Sequence, residues 1–193
     1  MRVQEMLSYL ATALPPRVCA QSRLLALQCA LRTDAHGLVA IPAGLLRGIR
    51  ISQSLAPWQQ LEEENWVRPM PEPAMPAQST GIVVQLLDHT VLTQAPTRRG
   101  RLRAADWALR TSSVQLDGLP SAARLVALAL AAQPSDSDTH GAADAYLIAR
   151  ACGIQLEDLT SRLDELVTSG AMVSWLLDLA TEDLHWTVPR ASA

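Results

Sequence analysis

The only dense cluster of basic residues in the sequence lies at residues 98–103, which read Arg-Arg-Gly-Arg-Leu-Arg. Each guanidinium presents a planar fork of N–H donors that suits phosphate oxygens and stays protonated at physiological pH. No acidic residue adjoins the group in the sequence. We therefore predict a phosphate-binding surface formed by Arg98, Arg99, Arg101 and Arg103, against the alternative of a solvated linker whose arginines pair with distant carboxylates.

A second group of polar residues surrounds the start of a predicted helix at residues 52–65. Arg47 and Arg50 precede this helix, where their side chains are expected to reach phosphates. Hydroxyl and amide groups follow on its outward face, and such groups hydrogen-bond base edges in DNA. These candidate DNA-reading residues are Ser52, Gln53, Ser54 and Gln59. The acidic end of the helix, residues 62–64, is compatible with DNA binding only if that end points away from the groove. The alternative is a solvated polar face.

Catalytic patterns find little support. The four histidines are scattered, and no Cys/His or Ser/His/Asp spacing typical of nucleophilic catalysis occurs. The sequence has no glycine-rich phosphate loop and no HExxH motif. We therefore expect no enzyme activity, no cofactor and no bound metal.

Residues 145–175 give the clearest prediction of local structure. Leucines and isoleucine recur at helical spacing on both sides of Gly153, and a glycine there allows the positive φ that separates two helices. Gly170 is expected to end the second helix in the same way, and the apolar run after it has strand composition. The segment predicts a helix, a tight turn, a second helix and a strand.

The same landmarks occur earlier in the chain, in the same order. Residues 23–27 match 124–128, and the pair of Asp-X-His-Gly turns at residues 34–37 and 138–141 follows. Gly48-Ile49 then matches Gly153-Ile154, and Trp66-Val67 falls where Ala171-Met172 sits. The offset grows only from 101 to 105 residues across the comparison. We interpret this as a tandem duplication of two small domains.

In the first copy, helices are predicted at residues 22–32, 43–48 and 52–65, with a strand at 37–42 and Ser52 as a helix N-cap. Leu55, Trp58 and Leu61 are expected to face inward. Residues 68–80 carry four prolines and predict a stiff connection, or alternatively a partner-binding segment. A β-hairpin formed by residues 81–87 and 90–94 is predicted to follow.

In the second copy, helices are predicted at residues 119–133, 142–152 and 155–169, with a polar loop at 134–141. A β-hairpin of residues 172–179 and 184–188 completes this copy. Its third helix opens with two acidic residues, which favour the helix dipole and oppose approach to DNA. The second domain is therefore expected to serve protein contact more than base reading.

Residues 1–14 predict an amphipathic helix outside the repeated unit, ended by two prolines. Two alternatives remain open for its apolar face. It packs on the first domain of its own chain, or it pairs with the same helix of a second subunit in a homodimer. The apolar residues of this face are Val3, Met6, Leu7, Leu10 and Leu14.

Composition sets outer limits on the function. The formal net charge of −3 argues against a protein that simply coats nucleic acid, and all 16 basic residues are arginine. The three cysteines have no disulfide or metal spacing, so they are expected to be core residues in a reducing compartment. No stretch approaches the ~20 apolar residues that cross a bilayer, and no signal peptide is evident. These features predict a cytoplasmic protein with no membrane partner, located at the nucleoid if it binds DNA.

Both copies resemble winged-helix proteins of actinobacteria, which include regulators and plasmid replication initiators. The carrying residues are 123–128, Gly153 and 163–166 before Gly170. Residues 58–63 before Trp66-Val67 are similar to the end of the recognition helix in the MarR and GntR regulator classes. The resemblance implies a mainly α fold with small β-hairpin wings and tandem winged-helix domains.

The expected organisation is an N-terminal helix at residues 1–16, a first domain at 17–96, a basic linker and helix at 97–117 and a second domain at 118–193. The expected function is binding of double-stranded DNA by a transcriptional regulator. The alternative is an adaptor that binds proteins in a chromosome-organisation, replication or transcription complex and has no DNA affinity of its own.

Overall fold

The computed structural model describes residues 3–49, 54–70, 81–93, 97–113, 116, 118–135, 137 and 139–190 of the chain. The chain is mainly helical and carries two small antiparallel sheets of three strands each. A first half (α2 to β3) and a second half (α7 to β6) repeat one order of elements. The elements are α1 (Val3–Ala13), α2 (Ala20–Arg32), β1 (Leu38–Pro42), α3 (Ala43–Gly48), α4 (Ala56–Glu63), β2 (Val67–Pro69), β3 (Gly81–Leu86), α5 (His89–Thr93), α6 (Arg98–Ser113), α7 (Ser121–Ala131), β4 (His140–Asp144), α8 (Ala145–Cys152), α9 (Leu156–Thr168), β5 (Ser174–Leu177) and β6 (Asp183–Thr187).

Each half folds as helix, strand, helix, helix, strand, strand, and the last strand lies in the middle of its sheet. The strand orders are β1-β3-β2 and β4-β6-β5, with every neighbouring pair antiparallel. The predicted helix, turn, helix and strand of residues 145–175 is confirmed, with Gly153 at φ +66 and Gly170 at φ +77. The hairpin predicted after it is confirmed as β5 and β6.

The hairpin predicted from residues 81–87 and 90–94 is wrong. Strand β3 instead pairs with β1 and β2, and His89–Thr93 is helical. The Asp88 carboxylate accepts a hydrogen bond from the backbone N–H of Thr90 at 2.8 Å, and Val91 is buried. Asp88 thereby caps the start of α5, because its carboxylate pairs an N–H group that the first turn of a helix leaves without a partner. The proline-rich residues 71–80 lie outside the described residues.

Strand β4 was missed, because residues 134–141 were predicted as loop and 142 as the start of a helix. The alanine-rich sequence hides the strand, which forms by pairing with β6 over its five residues. Gly141 is required there because a Cβ atom at this position would overlap the Trp186 ring. Helix α8 then begins after Asp144, whose carboxylate accepts a hydrogen bond from the Leu147 N–H at 3.0 Å.

Helix α4 is shorter than predicted. It begins at Ala56, and the predicted N-cap Ser52 lies outside the described residues. Trp58 and Leu61 are buried as expected, but Leu55 is 65% exposed, so its predicted inward position is wrong. Leu55 precedes the helix, where helical periodicity no longer fixes its direction.

The apolar face of α1 is buried within the chain and packs against α2 and α8, which belong to different halves. Cover therefore comes from the same chain rather than from a second subunit. The buried residues are Val3, Met6, Leu7, Leu10 and Leu14, as predicted for one helical face.

Two buried arginines at matching positions join the halves reciprocally. Arg23 on α2 and Arg124 on α7 are each 2% exposed. The Arg23 guanidinium lies against Gly153, between α8 and α9, whereas Arg124 donates to the carbonyl of Gly48, at the end of α3, at 2.8 Å. Gly48 and Gly153 are themselves matched in the repeat. Such reciprocity is what two copies related by an approximate two-fold axis produce.

Arg23 also fixes the end of the N-terminal helix. Its guanidinium donates to the backbone carbonyls of Leu10, Leu14, Pro15 and Val18 over 2.8–3.3 Å. Burial lowers the pKa of Arg23, but a guanidinium remains charged, so these carbonyls satisfy a buried cation. One side chain thus holds α1, α2 and the turn of the second half together.

A further matched pair supports the same symmetry. Arg32 at the end of α2 forms an ion pair with Asp106 of α6 at 2.7 Å. The matching residues in the repeat are Gln133, 101 residues after Arg32, and Gln4, 102 residues before Asp106. Gln133 accepts a hydrogen bond from Gln4 of α1 at 2.9 Å. The position of α1 relative to the second half is therefore equivalent to the position of α6 relative to the first half.

The buried apolar residues form one continuous core across both halves. The predicted domain boundaries stay a prediction.

Two of the three cysteines are core residues, as predicted. Cys29 and Cys152 are fully buried, and burial raises the pKa of each thiol to about 12. The prediction is wrong for Cys19, which is exposed just before α2.

We predict that Gly153→Ala destabilises the chain more than Gly170→Ala. Both glycines have positive φ, so alanine costs ~1 kcal/mol of backbone strain at either site. Only at Gly153 does the new methyl group meet the buried Arg23 guanidinium, since nothing lies within 4 Å at Gly170. We expect an additional loss of ~2 kcal/mol or more in the free energy of unfolding, measured in urea. Equal losses in the two variants would contradict the role given to Arg23.

We also predict that a soluble disulfide reagent at about pH 8 labels Cys19 rapidly, whereas Cys29 and Cys152 react only when urea unfolds the chain. The thiolate is the reactive form, and burial disfavours it at the two core positions. Because the folded-state pKa is the higher one, the free energy of unfolding falls as pH rises through the range from about 9 to about 12. Mass spectrometry of labelled peptides at successive times measures the order in which the three cysteines react.

Candidate nucleic-acid interface

The outward face of α6 carries a row of exposed arginines. Arg99, Arg103 and Arg110 are separated by four and seven residues, which places them on one side of a helix. The opposite side carries Ala105 and Ala108, both fully buried. Small side chains there let the helix backbone approach the core and leave the long cations facing solvent. We call Arg99, Arg103 and Arg110 the arginine row.

One carboxylate interrupts this row. Asp106 lies on the same face, between Arg103 and Arg110, but its Oδ1 accepts from Nη2 of Arg32 at 2.7 Å. The Arg32 guanidinium is anchored in turn by its Nε, which donates to Gln28 at 3.0 Å. Because Arg32 compensates Asp106, the net charge along this face is positive.

The start of α6 adds to the positive potential. Its first turn contains no acidic residue, and Arg98 and Arg99 are both exposed. The N-terminal N–H groups of a helix carry a partial positive charge, which favours anions at this end. The arginines and the helix dipole therefore both favour binding of an anion at this end of α6.

Arg101 has a different position from the other arginines of the predicted cluster. It is partly buried, and its Nη2 donates to the Thr33 carbonyl at the end of α2 at 2.8 Å. The structure thus uses this side chain to attach α6 to α2. Arg98, Arg99 and Arg103 are exposed.

The arginine cluster and α4 lie toward opposite ends of α2. Arg101 meets Thr33 at the C-terminal end of α2, whereas Gln60 of α4 accepts from Ser22 at 2.6 Å near the N-terminal end. A 13-residue helix is ~20 Å long, which separates the two regions. Thr33, whose carbonyl Arg101 contacts, directly precedes the turn of residues 34–37 that leads into β1.

Arg47 is exposed on α3. The next residue, Gly48, approaches the Leu109 side chain of α6, which directly precedes Arg110. Arg47 therefore lies toward the far end of the arginine row rather than beside its start. Arg50, Ser52 and Gln53, also predicted to bind DNA, lie outside the described residues.

The described part of α4 exposes few groups suited to nucleic acid. Gln59 is exposed, and Ser54 is half-buried and accepts from the Ala56 N–H at 3.3 Å. Glu62 and Glu63 are exposed near the C-terminal end. Glu64, predicted to face outward with them, instead has a side chain only 10% exposed and pairs with Arg17 at 2.6 Å.

Two exposed arginines that were not among the predicted site residues, Arg110 and Arg68, bear on the candidate interface. Arg110 extends the arginine row, and its signal in the sequence was the spacing of seven residues from Arg103. Arg68 is exposed on β2, paired in register with Gln85. The predicted cluster ended at residue 103 because it was defined by the density of charge along the sequence. It did not take into account which residues share one side of the helix.

The second half presents a different surface. Glu157 and Asp158 occupy the first turn of α9 and are exposed, as predicted. Arg162 is engaged by Glu165 one turn later. Exposed apolar side chains lie on and beside the hairpin of this half, at Val173, Leu176 and Leu179.

The histidines at positions 36, 89, 140 and 185 are all exposed. Within the residues that the structure describes, no group of three or more His, Cys, Asp or Glu side chains is arranged to hold a metal ion. The same part of the chain contains no helix of the length and apolar character needed to span a bilayer.

Comparison of the chain with protein-family models, with curated proteins and with solved structures found no significant match.

We predict that Arg101→Ala lowers the free energy of unfolding by about 1–2 kcal/mol, whereas Arg99→Ala and Arg103→Ala stay within about 0.5 kcal/mol of the parent. Only Arg101 donates to a backbone carbonyl in a partly buried position. Urea unfolding of the three single variants tests this assignment. Equal stability of all three would show that Arg101 is as free as its neighbours.

Proposed function

We propose that this chain is a tandem winged-helix protein that binds double-stranded DNA through phosphate contacts on α6, in the role of a transcriptional regulator. The order of elements in each half supports the fold. Helix, strand, helix, helix and a two-stranded hairpin, with the final strand central in the sheet, is the arrangement expected of a winged helix. The hairpins β2–β3 and β5–β6 then correspond to the wings.

The observation that carries the binding proposal is the arginine row. Arg99 and Arg110 are 11 positions apart on one helix, which corresponds to ~16 Å along the axis. Double-stranded DNA presents one charge per ~1.7 Å of its axis, so a row of this length lies opposite several phosphates. Guanidinium groups bind phosphate oxygens in a bidentate manner.

The net charge of −3 is compatible with this proposal because the charges are segregated. Acidic residues open α9 and occupy the tip of the second hairpin, whereas exposed arginines line α6. The local potential of a docking face governs association with a polyanion, rather than the charge of the whole protein. The second half would then face away from DNA.

Phosphate contact is expected to dominate over base reading. Of the residues predicted to contact bases, Gln59 lies on α4 and is exposed. The exposed Glu62 and Glu63 follow it on the same helix. Arginines on phosphates give affinity without sequence information, whereas base edges must be reached by side chains in a groove. Ser54 and Gln59 remain our candidates for base contact, and Arg47 and Arg68 for additional phosphates.

A second candidate function is a protein-binding adaptor without DNA affinity. The exposed Leu176 and Leu179 of the second hairpin, together with the acidic start of α9, favour this alternative. Exposed apolar side chains rimmed by charge are typical of protein interfaces. DNA binding is assigned to α6 and the adaptor function to the second half, so one experiment on α6 separates them.

We predict that the chain binds a fluorescently labelled mixed-sequence duplex with an affinity that falls steeply with salt. Replacing Arg99, Arg103 and Arg110 by alanine should reduce the slope of log K against log salt by about 2–3, because up to three phosphate contacts are lost. Fluorescence anisotropy at several salt concentrations measures both quantities. Arg101 is left unchanged in this variant because its loss disturbs the attachment of α6.

The matched control replaces Arg17, Arg150 and Arg162 by alanine. It removes the same formal charge from other faces, so a purely global charge effect would change its salt slope equally. Retention of the parental slope in the control, with loss in the α6 variant, supports the proposal. Absence of binding by the parent protein at low salt contradicts it and favours the adaptor.

A further inference from the structure

Strand β5 lies at one edge of the sheet of the second half, because the order of the described strands is β4-β6-β5. The N–H of Asp178, just after β5, donates to the carbonyl of Asp183 on β6 at 2.9 Å. In an antiparallel pair, alternate residues direct both of their backbone groups toward the neighbouring strand. Counted back from Asp178, Leu176 therefore faces β6, whereas Trp175 and Leu177 direct their N–H and carbonyl groups toward the open edge. These groups are placed to pair with a further strand.

The corresponding edge strand of the first half, β2, is closed to such pairing. The N–H of Met70 donates to the carbonyl of Val83 on β3 at 3.4 Å, so Pro69, one residue earlier, is directed toward the open edge. Proline has no N–H to offer another strand, and the neighbouring Arg68 is charged and exposed. Proline and charge are two of the features by which edge strands avoid pairing with other chains.

The register shows that the second half lacks this protection at the same place. Through the central strand of each sheet, Arg68 lies across from the first residue of β1, and Ser174 lies across from the first residue of β4. Ser174 and Trp175 therefore occupy the places of Arg68 and Pro69. The sequence of β5, Ser-Trp-Leu-Leu, contains neither proline nor charge. The first half thus protects an edge that the second half leaves able to pair.

Three exposed apolar side chains lie on this strand and beside its ends. Val173 is 55% exposed, Leu176 65% and Leu179 85%. The positions are evenly spaced, so Leu176 is the centre of a symmetric pattern. A two-fold axis at Leu176 would place this residue against Leu176 of a second copy, and would bring Val173 of each copy toward Leu179 of the other. The pattern is therefore complementary to itself.

The backbone groups and the charges also fit a second copy. About the same axis, Trp175 of one copy lies opposite Leu177 of the other, and both direct their backbone groups outward, so the two residues exchange hydrogen bonds. Asp178 lies opposite Ser174 of the second copy rather than opposite an acidic residue. The Asp178 carboxylates of the two copies are then separated by four residues of strand, ~13 Å, which exceeds the screening length of ~8 Å at physiological ionic strength.

We propose that two copies of this chain associate by antiparallel pairing of their β5 strands about Leu176, which joins the two three-stranded sheets into one. Because β5 has four residues, the contact is small, and we expect the association to be reversible and to depend on concentration. The proposal does not rest on DNA binding, since β5 belongs to the second half and the arginine row to α6. Its test therefore requires no DNA.

The test measures the mass of the full chain by sedimentation equilibrium over a series of concentrations. We expect a monomer at low concentration and a dimer at high concentration. Leu176→Arg should raise the dissociation constant of the dimer at least ~tenfold, because it places two like charges opposite each other. Leu55→Arg is the matched control, since Leu55 is also 65% exposed but precedes α4. It should leave the dissociation constant unchanged.

The position of the axis is tested by mixing two variants. Leu176→Glu should associate as weakly as Leu176→Arg when each is alone, whereas an equimolar mixture of the two should recover the association of the parent, because opposite charges then face each other. Recovery also shows that both variants fold. A different register would separate the two positions and give no recovery.

Amide hydrogen exchange, followed by NMR, gives an independent measurement on the parent chain. The N–H groups of Trp175 and Leu177 should exchange more slowly at high protein concentration, whereas that of Leu176, already paired with β6, should not change. A parent chain that stays monomeric overturns the proposal and leaves the edge of β5 to a strand of another protein. Equal weakening by Leu55→Arg and Leu176→Arg, or no recovery in the mixture, also overturns it.

Discussion

The arrangement of this chain depends on a buried cation. Taking the Arg23 guanidinium out of water is costly, and the structure offsets that cost with backbone carbonyl groups. Leu10 supplies one from the last turn of α1, and Leu14, Pro15 and Val18 supply the others from the segment that follows this helix. The same guanidinium lies against Gly153, where any side chain would displace it. A helix end, a helix interior and a turn of the other half are thereby fixed relative to one another.

Arg124 repeats this arrangement in the opposite direction by donating to Gly48. Because the two contacts are reciprocal, each half supplies a buried cation to the turn of the other. The relative position of the halves is then set by hydrogen bonds of defined geometry as well as by apolar contact, which has no direction. Helix α6 is placed by the same packing, so the direction of its arginine row follows from the core.

One departure from symmetry coincides with the arginine row. By the 102-residue offset, Arg110 of α6 corresponds to Ser8 of α1. A second departure lies in the core, where the second half has Thr111 and Ala171 at the positions of the aromatic pair of Tyr9 and Trp66. The shared parts of the repeat maintain the fold, and Arg110 extends the surface that we propose binds DNA.

The sequence by itself determined the repeat, the buried face of α1 and the two glycine turns, because helical periodicity and positive φ are local properties. It also located the arginine cluster, since charge density requires no fold. The tertiary structure decided what depends on partners distant in the chain. Strand β4 exists through pairing with β6, Asp88 and packing convert a predicted strand into α5, and Arg101 is turned inward by the Thr33 carbonyl. Which arginines face solvent was therefore a property of packing, not of composition.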